Sequence, residues 1–160
     1  MTDPFPSDVV AAAQKSHQRF YPRGPFASID LAQWAVESGF GKHMSGANNP
    51  FGIQATKFQI ANGQARLVWS REWDGQKFVP KEEWFASYPS LEAAFDAHAE
   101  LLTTPHYQRC MDAKTPEAYA EALHACGYAT APNYASVLIS VIRKYDLTRY
   151  DTGGGGNAVV

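Results

Sequence analysis

Apolar positions recur at helical spacing through the first part of the chain. The pattern predicts a helix over residues 8–20, with Ser7 as its N-cap. It predicts a second helix from about Pro25 to about Ser38, because proline suits a first helical turn and apolar residues then follow at helical spacing. Two helices therefore open the fold.

The polar positions of this second helix share one side. Asp30, Gln33 and Glu37 are spaced so that an α-helix aligns them along one stripe. We therefore expect these three side chains to line a groove together.

The pattern changes after Gly41. Residues 51–88 are rich in aromatic and β-branched side chains, and Asp74-Gly75 separates the runs 66–73 and 76–88 as a hairpin turn would. Helical spacing then returns. The predicted later helices are residues 91–102 after an N-cap at Ser90, a helix capped by Thr115 and closed at Gly127, and a last helix from Pro132 to about Tyr145.

This order of elements predicts an α+β fold, with a mainly helical lobe, a small β-hairpin lobe over about 51–88, and a cleft between them. A chain of 160 residues with 45% hydrophobic residues can bury one core. We expect one domain over residues 1–150, followed by a flexible glycine-rich tail at 151–160.

Charge and hydropathy exclude some classes of protein. The net charge is −2 and Lys and Arg form no run, which disfavours a nucleic-acid partner. No segment is long and apolar enough to span a membrane, and the first residues lack the pattern of a secretory signal. We expect a chain made in the cytoplasm, and the sequence leaves its place of action open.

Glu37 carries the strongest chemical signal. It ends an otherwise apolar helix just before Gly39 and Gly41, which turn the chain away. Apolar neighbours favour the protonated form of a carboxyl group near neutral pH, as general acid catalysis requires. The apolar neighbours are Trp34, Val36 and Phe40.

Other catalytic chemistries lack their motifs. The histidines include no HExxH pair, and the only close pairings, Asp96 with His98 and Glu121 with His124, are single and weak. We therefore predict neither a metal nor any other cofactor. No GxSxG motif occurs. Cys110 and Cys126 have no redox or zinc spacing and are interpreted as small buried side chains.

Four separate segments, in the same order, resemble the peptidoglycan β-N-acetylglucosaminidases of glycoside hydrolase family 73, which include autolysins, endolysins and flagellar muramidase-like domains. The resemblance covers about residues 7–147. Its segments are ESGFGK at 37–42, NNPFGI at 48–53, FASYPS at 85–90 and GYATAPNYA at 127–135.

The resemblance implies a lysozyme-like helical lobe with a hairpin insertion. It implies cleavage of the β-1,4 bond between N-acetylglucosamine and N-acetylmuramic acid, with Glu37 as the general acid. The family usually has Trp where this chain has Phe40, a change that keeps an apolar wall and removes an indole N–H donor.

The same family usually takes a second carboxylate from its β lobe. Glu72 is our first candidate, and Asp74, Glu82 and Glu83 are rivals, with Asp74 better explained as a turn former. An inverting pair, a retaining pair and attack by the substrate's own acetamido group remain open.

The family resemblance and aromatic content supply further site candidates. Tyr128 and Tyr134 match family tyrosines that border the cleft, where a phenol would bind the acetamido group or steady a charged intermediate, and aromatic packing of the last helix explains them equally well. Turn chemistry at the lobe junction is the simplest account of Asn49. Trp69, Trp73 and Trp84 are candidates for stacking on sugar rings, and we expect one or two of them in the core. The substrate-binding candidates are Gln33, Phe40, Asn49, Phe51, Trp73 and Tyr134.

Three alternatives stay open at this point. A lytic transglycosylase or a muramidase would use the same fold, and a non-catalytic wall-binding or phage structural module would keep the fold without activity. For the hydrolase we expect peptidoglycan glycan strands as partner, action at the bacterial cell wall after release or export, and a monomer.

Overall fold

The computed structural model describes residues 3–151. Its helices are α1 Ser7–Phe20, α2 Ala27–Ser38, α3 Lys57–Ala61, α4 Leu91–Leu102, α5 Gln108–Met111, α6 Pro116–Ala125 and α7 Tyr134–Lys144. Its strands are β1 Ala65–Trp73 and β2 Phe78–Ala86, and two 3-10 turns span Pro105–Tyr107 and Leu147–Asp151. The predicted α+β class is confirmed.

Helix α2 is the centre of the helical lobe. It contacts α1, α6, α7 and the 3-10 turn at 147–151, so apolar side chains cover it on nearly every side. Leu31 and Ile29 from α2 are fully buried together with Leu138 from α7 and Phe95 from α4. Because the rest of this helix is enclosed, only its C-terminal end reaches the surface.

Several helix ends differ from the sequence predictions. Pro6, and not Ser7, is the N-cap residue of α1, and it makes no side-chain capping bond. Helix α2 begins at Ala27 after the N-cap Phe26, so Pro25 precedes the helix instead of entering its first turn. Helices α3 and α5 were not predicted, because each is too short to show a helical period.

The later caps are confirmed. The Ser90 and Thr115 hydroxyls each accept a hydrogen bond of 3.1 Å from the backbone N–H three residues on. Of the predicted tail at 151–160, only Asp151 is among the described residues, and it closes the last 3-10 turn. Its carboxylate accepts hydrogen bonds from the Ser28 N–H at 2.8 Å and the Ser28 hydroxyl at 2.6 Å.

The β lobe is a two-stranded antiparallel hairpin. Strand β2 begins at Phe78, two residues later than predicted, since the loop includes residues 74–77. At the base of the hairpin, the N–H of Ala55 donates to Trp84 O and the N–H of Ala86 donates to Ile53 O, both at 2.9 Å. These bonds attach the hairpin to the segment that enters it.

The pairing register divides the hairpin into two faces. Glu72 lies opposite Val79 and Glu83 lies opposite Val68, so both acids share the face that also carries Lys81. The other face, called here the aromatic face, carries large exposed apolar side chains. They are Leu67, Trp69, Trp73, Phe78 and Trp84.

The prediction that one or two hairpin tryptophans join the core is wrong. Trp69 is 66% exposed, Trp73 57% and Trp84 41%, and all three lie on the aromatic face. Side chains alternate between the two faces of the hairpin as predicted, but no second layer covers this face in the described part of the chain.

No helix within residues 3–151 has the length and apolar character needed to cross a bilayer.

Candidate active site

The end of α2 presents Glu37 to solvent. Gly39 has φ 57° and its N–H bonds back to Ala35 O, which ends the helix in a left-handed turn. Gly41 has φ 86°, and a Cβ there would lie 3.0 Å from the Trp34 ring. The buried Ser38 hydroxyl accepts a hydrogen bond of 2.8 Å from Gly41 N–H. The glycines therefore let the chain turn away directly after the acid.

Glu37 opens into a cleft with a volume of about 510 Å³. The cleft predicted beside this residue is present, between the helical lobe and the segment that leads into the hairpin. The lining residues are Glu37, Phe51, Gly52, Ile53, Gln54, Leu101, Tyr107, Tyr128 and Ala129.

A chain of hydrogen bonds holds the Glu37 carboxyl. The Gln33 side-chain N–H donates to the Tyr134 hydroxyl at 2.9 Å, and that hydroxyl donates to Glu37 Oε1 at 3.1 Å. Burial, followed by the nearby Glu37 charge, raises the pKa of Tyr134, so its phenol stays a proton donor. Oε1 of Glu37 therefore accepts a hydrogen bond from a neutral phenol.

The surroundings of Glu37 favour its protonated form. The protein around its carboxyl desolvates the group and raises its pKa above the ordinary value of 4.5. The Tyr134 hydrogen bond and the charge of His98 act in the opposite direction and lower it. Desolvation is the largest of these effects, as a general acid near neutral pH requires.

Tyr128 and Phe51 form one wall of the cleft. The Tyr128 hydroxyl donates to the backbone oxygen of Phe51 at 3.4 Å, and its ring stacks on Tyr134 with centroids 6.1 Å apart. Burial raises the pKa of Tyr128 well above its ordinary value. The phenol is thus a neutral group beside the acid, with its hydroxyl directed at the backbone.

The predicted groove along α2 is wrong for two of its three members. Asp30 and Gln33 are 0% exposed, because neighbouring helices cover α2 on the side that carries them. Gln33 contacts Tyr134 and cannot touch substrate directly. Of this stripe, only Glu37 reaches the cleft.

Two further substrate-binding candidates lie elsewhere. Phe40 packs against Phe5, Trp34 and Tyr145 in an aromatic cluster and is not among the cleft-lining residues, since its left-handed backbone turns it away. Phe40 therefore does not supply the cleft wall that was expected of it.

Asn49 is fully buried at the lobe junction. Its amide donates to Ile53 O and Ala86 O at 2.9 Å, and its Oδ1 accepts from the N–H groups of Phe51 and Ile53 at 3.2 Å. Turn chemistry therefore explains Asn49, and the expectation that it binds substrate is wrong. The residue fixes the segment that carries Phe51 into the cleft.

The hairpin acids differ in their surroundings. Glu72 lies next to the hairpin tip, where its Oε2 is 2.9 Å from Lys81 Nζ. Glu83 lies nearer the base, 3.1 Å from the same Nζ, and accepts a hydrogen bond of 3.3 Å from the cleft-lining Gln54. Asp74 accepts from the N–H groups of residues 76 and 77, which lower its pKa and confirm it as a turn former.

Trp73 lies on the aromatic face with its ring 5.1 Å from that of Phe78. Gln54 pairs with Phe85, so the face that adjoins the cleft is the one with Glu83 and not the one with Trp73. Contact between Trp73 and a substrate therefore requires the substrate to extend beyond the cleft.

Six cleft residues were not among the candidates from the sequence. They are Gly52, Ile53, Gln54, Leu101, Tyr107 and Ala129. Gly52 and Ile53 lie within the NNPFGI segment, Gln54 follows it directly and Ala129 lies within GYATAPNYA, so these segments were a usable signal. Leu101 and Tyr107 reach the site only through packing, and no local pattern marks them.

The weak spacing of Asp96 and His98 in the sequence does not correspond to a contact. Asp96 binds Arg19, with three N–H to oxygen contacts of 2.8–3.0 Å, while His98 faces Asp30. Among residues 3–151 no group of three or more His, Cys, Asp or Glu side chains is arranged to hold a metal ion. The absence of a cofactor stays a prediction.

A helical lobe, a hairpin lobe and an acid at the cleft between them define a lysozyme-like fold. A family described as mannosyl-glycoprotein endo-beta-N-acetylglucosaminidase matches residues 12–147. The chain therefore belongs to this glucosaminidase family, which confirms the resemblance to glycoside hydrolase family 73.

Curated relatives agree with this assignment. Peptidoglycan hydrolase FlgJ of Pseudomonas aeruginosa is 32% identical over 150 residues, which cover 89% of this chain and 36% of that protein. Exo-glucosaminidase LytG of Bacillus subtilis is 30% identical over 132 residues, covering 78% of this chain and 45% of that protein. The chain spans roughly a third to a half of the length of these relatives.

Solved structures show the same fold. A mutant peptidoglycan hydrolase from Sphingomonas sp. A1 superposes with a TM-score of 0.73 at 28% identity, covering 89% of this chain and 96% of that one. The catalytic domain of the autolysin Auto from Listeria monocytogenes superposes with a TM-score of 0.76 at 26% identity, covering 94% of this chain and 90% of that one.

Proposed function

We propose that this chain is a peptidoglycan hydrolase that cleaves the β-1,4 bond between N-acetylglucosamine and N-acetylmuramic acid, with Glu37 as general acid. The observation that carries the proposal is a cleft carboxyl whose pKa is raised by desolvation and whose Oε1 is held by Tyr134. Family membership and relatives described as peptidoglycan hydrolase and exo-glucosaminidase support the substrate class.

The hydrogen bonds suggest how the acid works. Tyr134 donates to Oε1 of Glu37, so the proton for the leaving glycosidic oxygen is carried on Oε2. Once the proton has left, the same tyrosine stabilises the carboxylate. Gln33 keeps the hydroxyl in this orientation because it donates to the phenol oxygen. Tyr128, beside Tyr134, remains our candidate for steadying the charged sugar or its acetamido group.

Glu72 remains the proposed second carboxylate, and Glu83 is its rival. For Glu72 to act, the hairpin tip must come toward the bound glycan, whereas Glu83 already bonds a cleft-lining residue. Glu82 lies on the opposite hairpin face and offers a matched control. Loss of activity by orders of magnitude in Glu72→Gln but not in Glu83→Gln or Glu82→Gln supports the assignment, and activity within a few fold of wild type in Glu72→Gln contradicts it.

The decisive experiment is to digest purified peptidoglycan and identify the new chain ends by mass spectrometry. We expect reducing N-acetylglucosamine ends. Reducing N-acetylmuramic acid ends would identify a muramidase, 1,6-anhydro ends a lytic transglycosylase, and no new ends a non-catalytic module.

Glu37→Gln tests the acid directly. We expect it to lose wall-lytic activity by orders of magnitude, because glutamine cannot donate a proton to the leaving group. Glu121→Gln, an exposed change on α6, serves as the control and should keep full activity. Unchanged activity in Glu37→Gln would make the assignment wrong.

We propose that residues 1–150 form one catalytic module that acts as a monomer at the bacterial cell wall after release or export. The match over residues 12–147 and the wall-acting relatives support this setting. Sedimentation velocity should give a single species near 17.6 kDa. A concentration-dependent dimer would contradict the monomer.

A further inference from the structure

A pair of ionisable side chains is buried directly behind the cleft wall. Asp30 of α2 and His98 of α4 are both 0% exposed, and Asp30 Oδ1 lies 2.9 Å from His98 Nδ1. The contact has the distance of an ion pair without the alignment of a hydrogen bond. Within residues 3–151, neither carboxylate oxygen of Asp30 nor either ring nitrogen of His98 has another hydrogen-bond partner.

The pair contacts the cleft through aromatic rings. His98 stacks flat on Phe51, with centroids 4.0 Å apart and planes at 14°, and meets the edge of Tyr128 at 6.0 Å. Phe51 and Tyr128 both line the cleft beside Glu37. Asp30 is also about two helical turns before Glu37 on the same side of α2.

Stability alone is a poor reason for this arrangement. Burying two charged groups has a large desolvation cost, and apolar side chains of similar volume at such sites are often equally stable or more stable. A pair that touches two residues of the cleft wall therefore suggests a role in the site.

We propose that Asp30 and His98 are positioning residues for the Glu37 site. Asp30 holds the His98 ring against Phe51, and the positive charge of His98 behind the wall favours the ionised form of Glu37. The pair thereby limits how strongly the acid keeps its proton, which allows the proton to be released to a leaving group. This role in turnover rests on the proposed function of Glu37.

The other groups that face the pair and the acid are few. His17 of α1 and Asp151 of the last 3-10 turn act on Asp30. Tyr134 of α7 is the neutral partner of Glu37. Burial raises the pKa of Asp30 and the charge of His98 lowers it, while the same charge lowers the pKa of Glu37.

The test titrates Glu37 by carbon NMR of its labelled carboxyl group, which needs no activity. The variant Asp30→Leu/His98→Phe removes both ionisable groups and fills their space with apolar side chains of similar size. In this variant we expect the titration midpoint of Glu37 to rise by about half to one pH unit. Asp30→Asn should move it the same way, because it removes the carboxylate that holds the His98 ring against Phe51. Ser16→Ala, a buried polar change on α1 beside Phe95, is the control and should not move it.

The alkaline limb of the pH profile of kcat should move with the titration. If the titration moves and the limb does not, the acid role of Glu37 fails while the positioning role stands. A titration that does not move in the folded variants overturns the inference.

Wild-type protein gives a test that needs no variant. Nitrogen NMR of the His98 ring should show an imidazolium at the pH where Glu37 titrates. A neutral ring at that pH overturns the inference even if every variant fails to fold.

Discussion

Tyr134→Phe removes one hydroxyl from the cleft and leaves the aromatic ring in place. The change deletes the hydrogen bond to Glu37 Oε1 and the acceptor for the Gln33 side-chain N–H. The first loss acts on the acidity of Glu37, and the second acts on stability. The two effects can be measured separately.

The effect on acidity follows from the strength of the lost bond. A hydrogen bond to a charged group contributes about 1.5–3 kcal/mol, which corresponds to roughly one to two pKa units. The bond of 3.1 Å is long for a hydroxyl donor, and Glu37 is accessible to water, which replaces part of the interaction. We therefore expect the pKa of Glu37 to rise by about half to one unit.

The sign of the activity change follows directly. A general acid works only while protonated, so activity falls as pH rises through its pKa. Because Tyr134→Phe raises that pKa, the alkaline limb of kcat/KM should move to higher pH. The assay is the initial rate on solubilised glycan strands from pH 4 to 9. An unchanged limb, or one moved to lower pH, would show that the Tyr134 hydroxyl does not lower the pKa of Glu37.

Stability provides the internal control. Tyr134→Phe leaves the buried Gln33 amide without its acceptor and should cost about 1–3 kcal/mol in urea unfolding. Gln33→Leu/Tyr134→Phe removes both polar partners and should recover most of that loss. The pH shift should persist in the double variant, because it depends on Glu37 and not on Gln33.

Three further changes have defined outcomes. Glu37→Gln should stabilise the fold at pH 8 by up to about 1 kcal/mol and should not stabilise it at pH 4. The reason is that the folded-state pKa of Glu37 lies above 4.5, so folding disfavours its ionised form. Equal stability of the variant and the wild type at pH 8 in urea unfolding would contradict this. Asn49→Ala should lose about 2–4 kcal/mol in the same measurement, since it removes four hydrogen bonds and leaves the N–H groups of Phe51 and Ile53 without their acceptor. A loss below about 1 kcal/mol would show that the junction does not depend on this amide. Trp73→Ala should raise KM for long glycan strands with stability unchanged within about 0.5 kcal/mol, as the ring is exposed, and an unchanged KM would remove Trp73 from the substrate contacts.

Local sequence patterns were sufficient to predict most of the helices and the position of the hairpin loop. Helical spacing and hydroxyl caps placed α4 and α6, and Asp74-Gly75 located the hairpin loop. These features depend on residues a few positions apart, so the sequence carries them directly. The errors at Ser7 and Pro25 concern helix ends, where backbone geometry and neighbouring packing decide the first residue.

Local patterns in the chain are enough to show that an acid at 37 ends an apolar helix before a glycine turn. They also show the alternation of side chains in the hairpin, since strand side chains have a period of two. The packing of the helices and the hairpin sets which hairpin face adjoins the cleft and which groups surround the acid. Gln33 meets Tyr134 across 101 positions, and Asp30 meets His98 from a different helix. Such partners depend on how helices pack, and helix packing is a property of the whole core rather than of any local pattern.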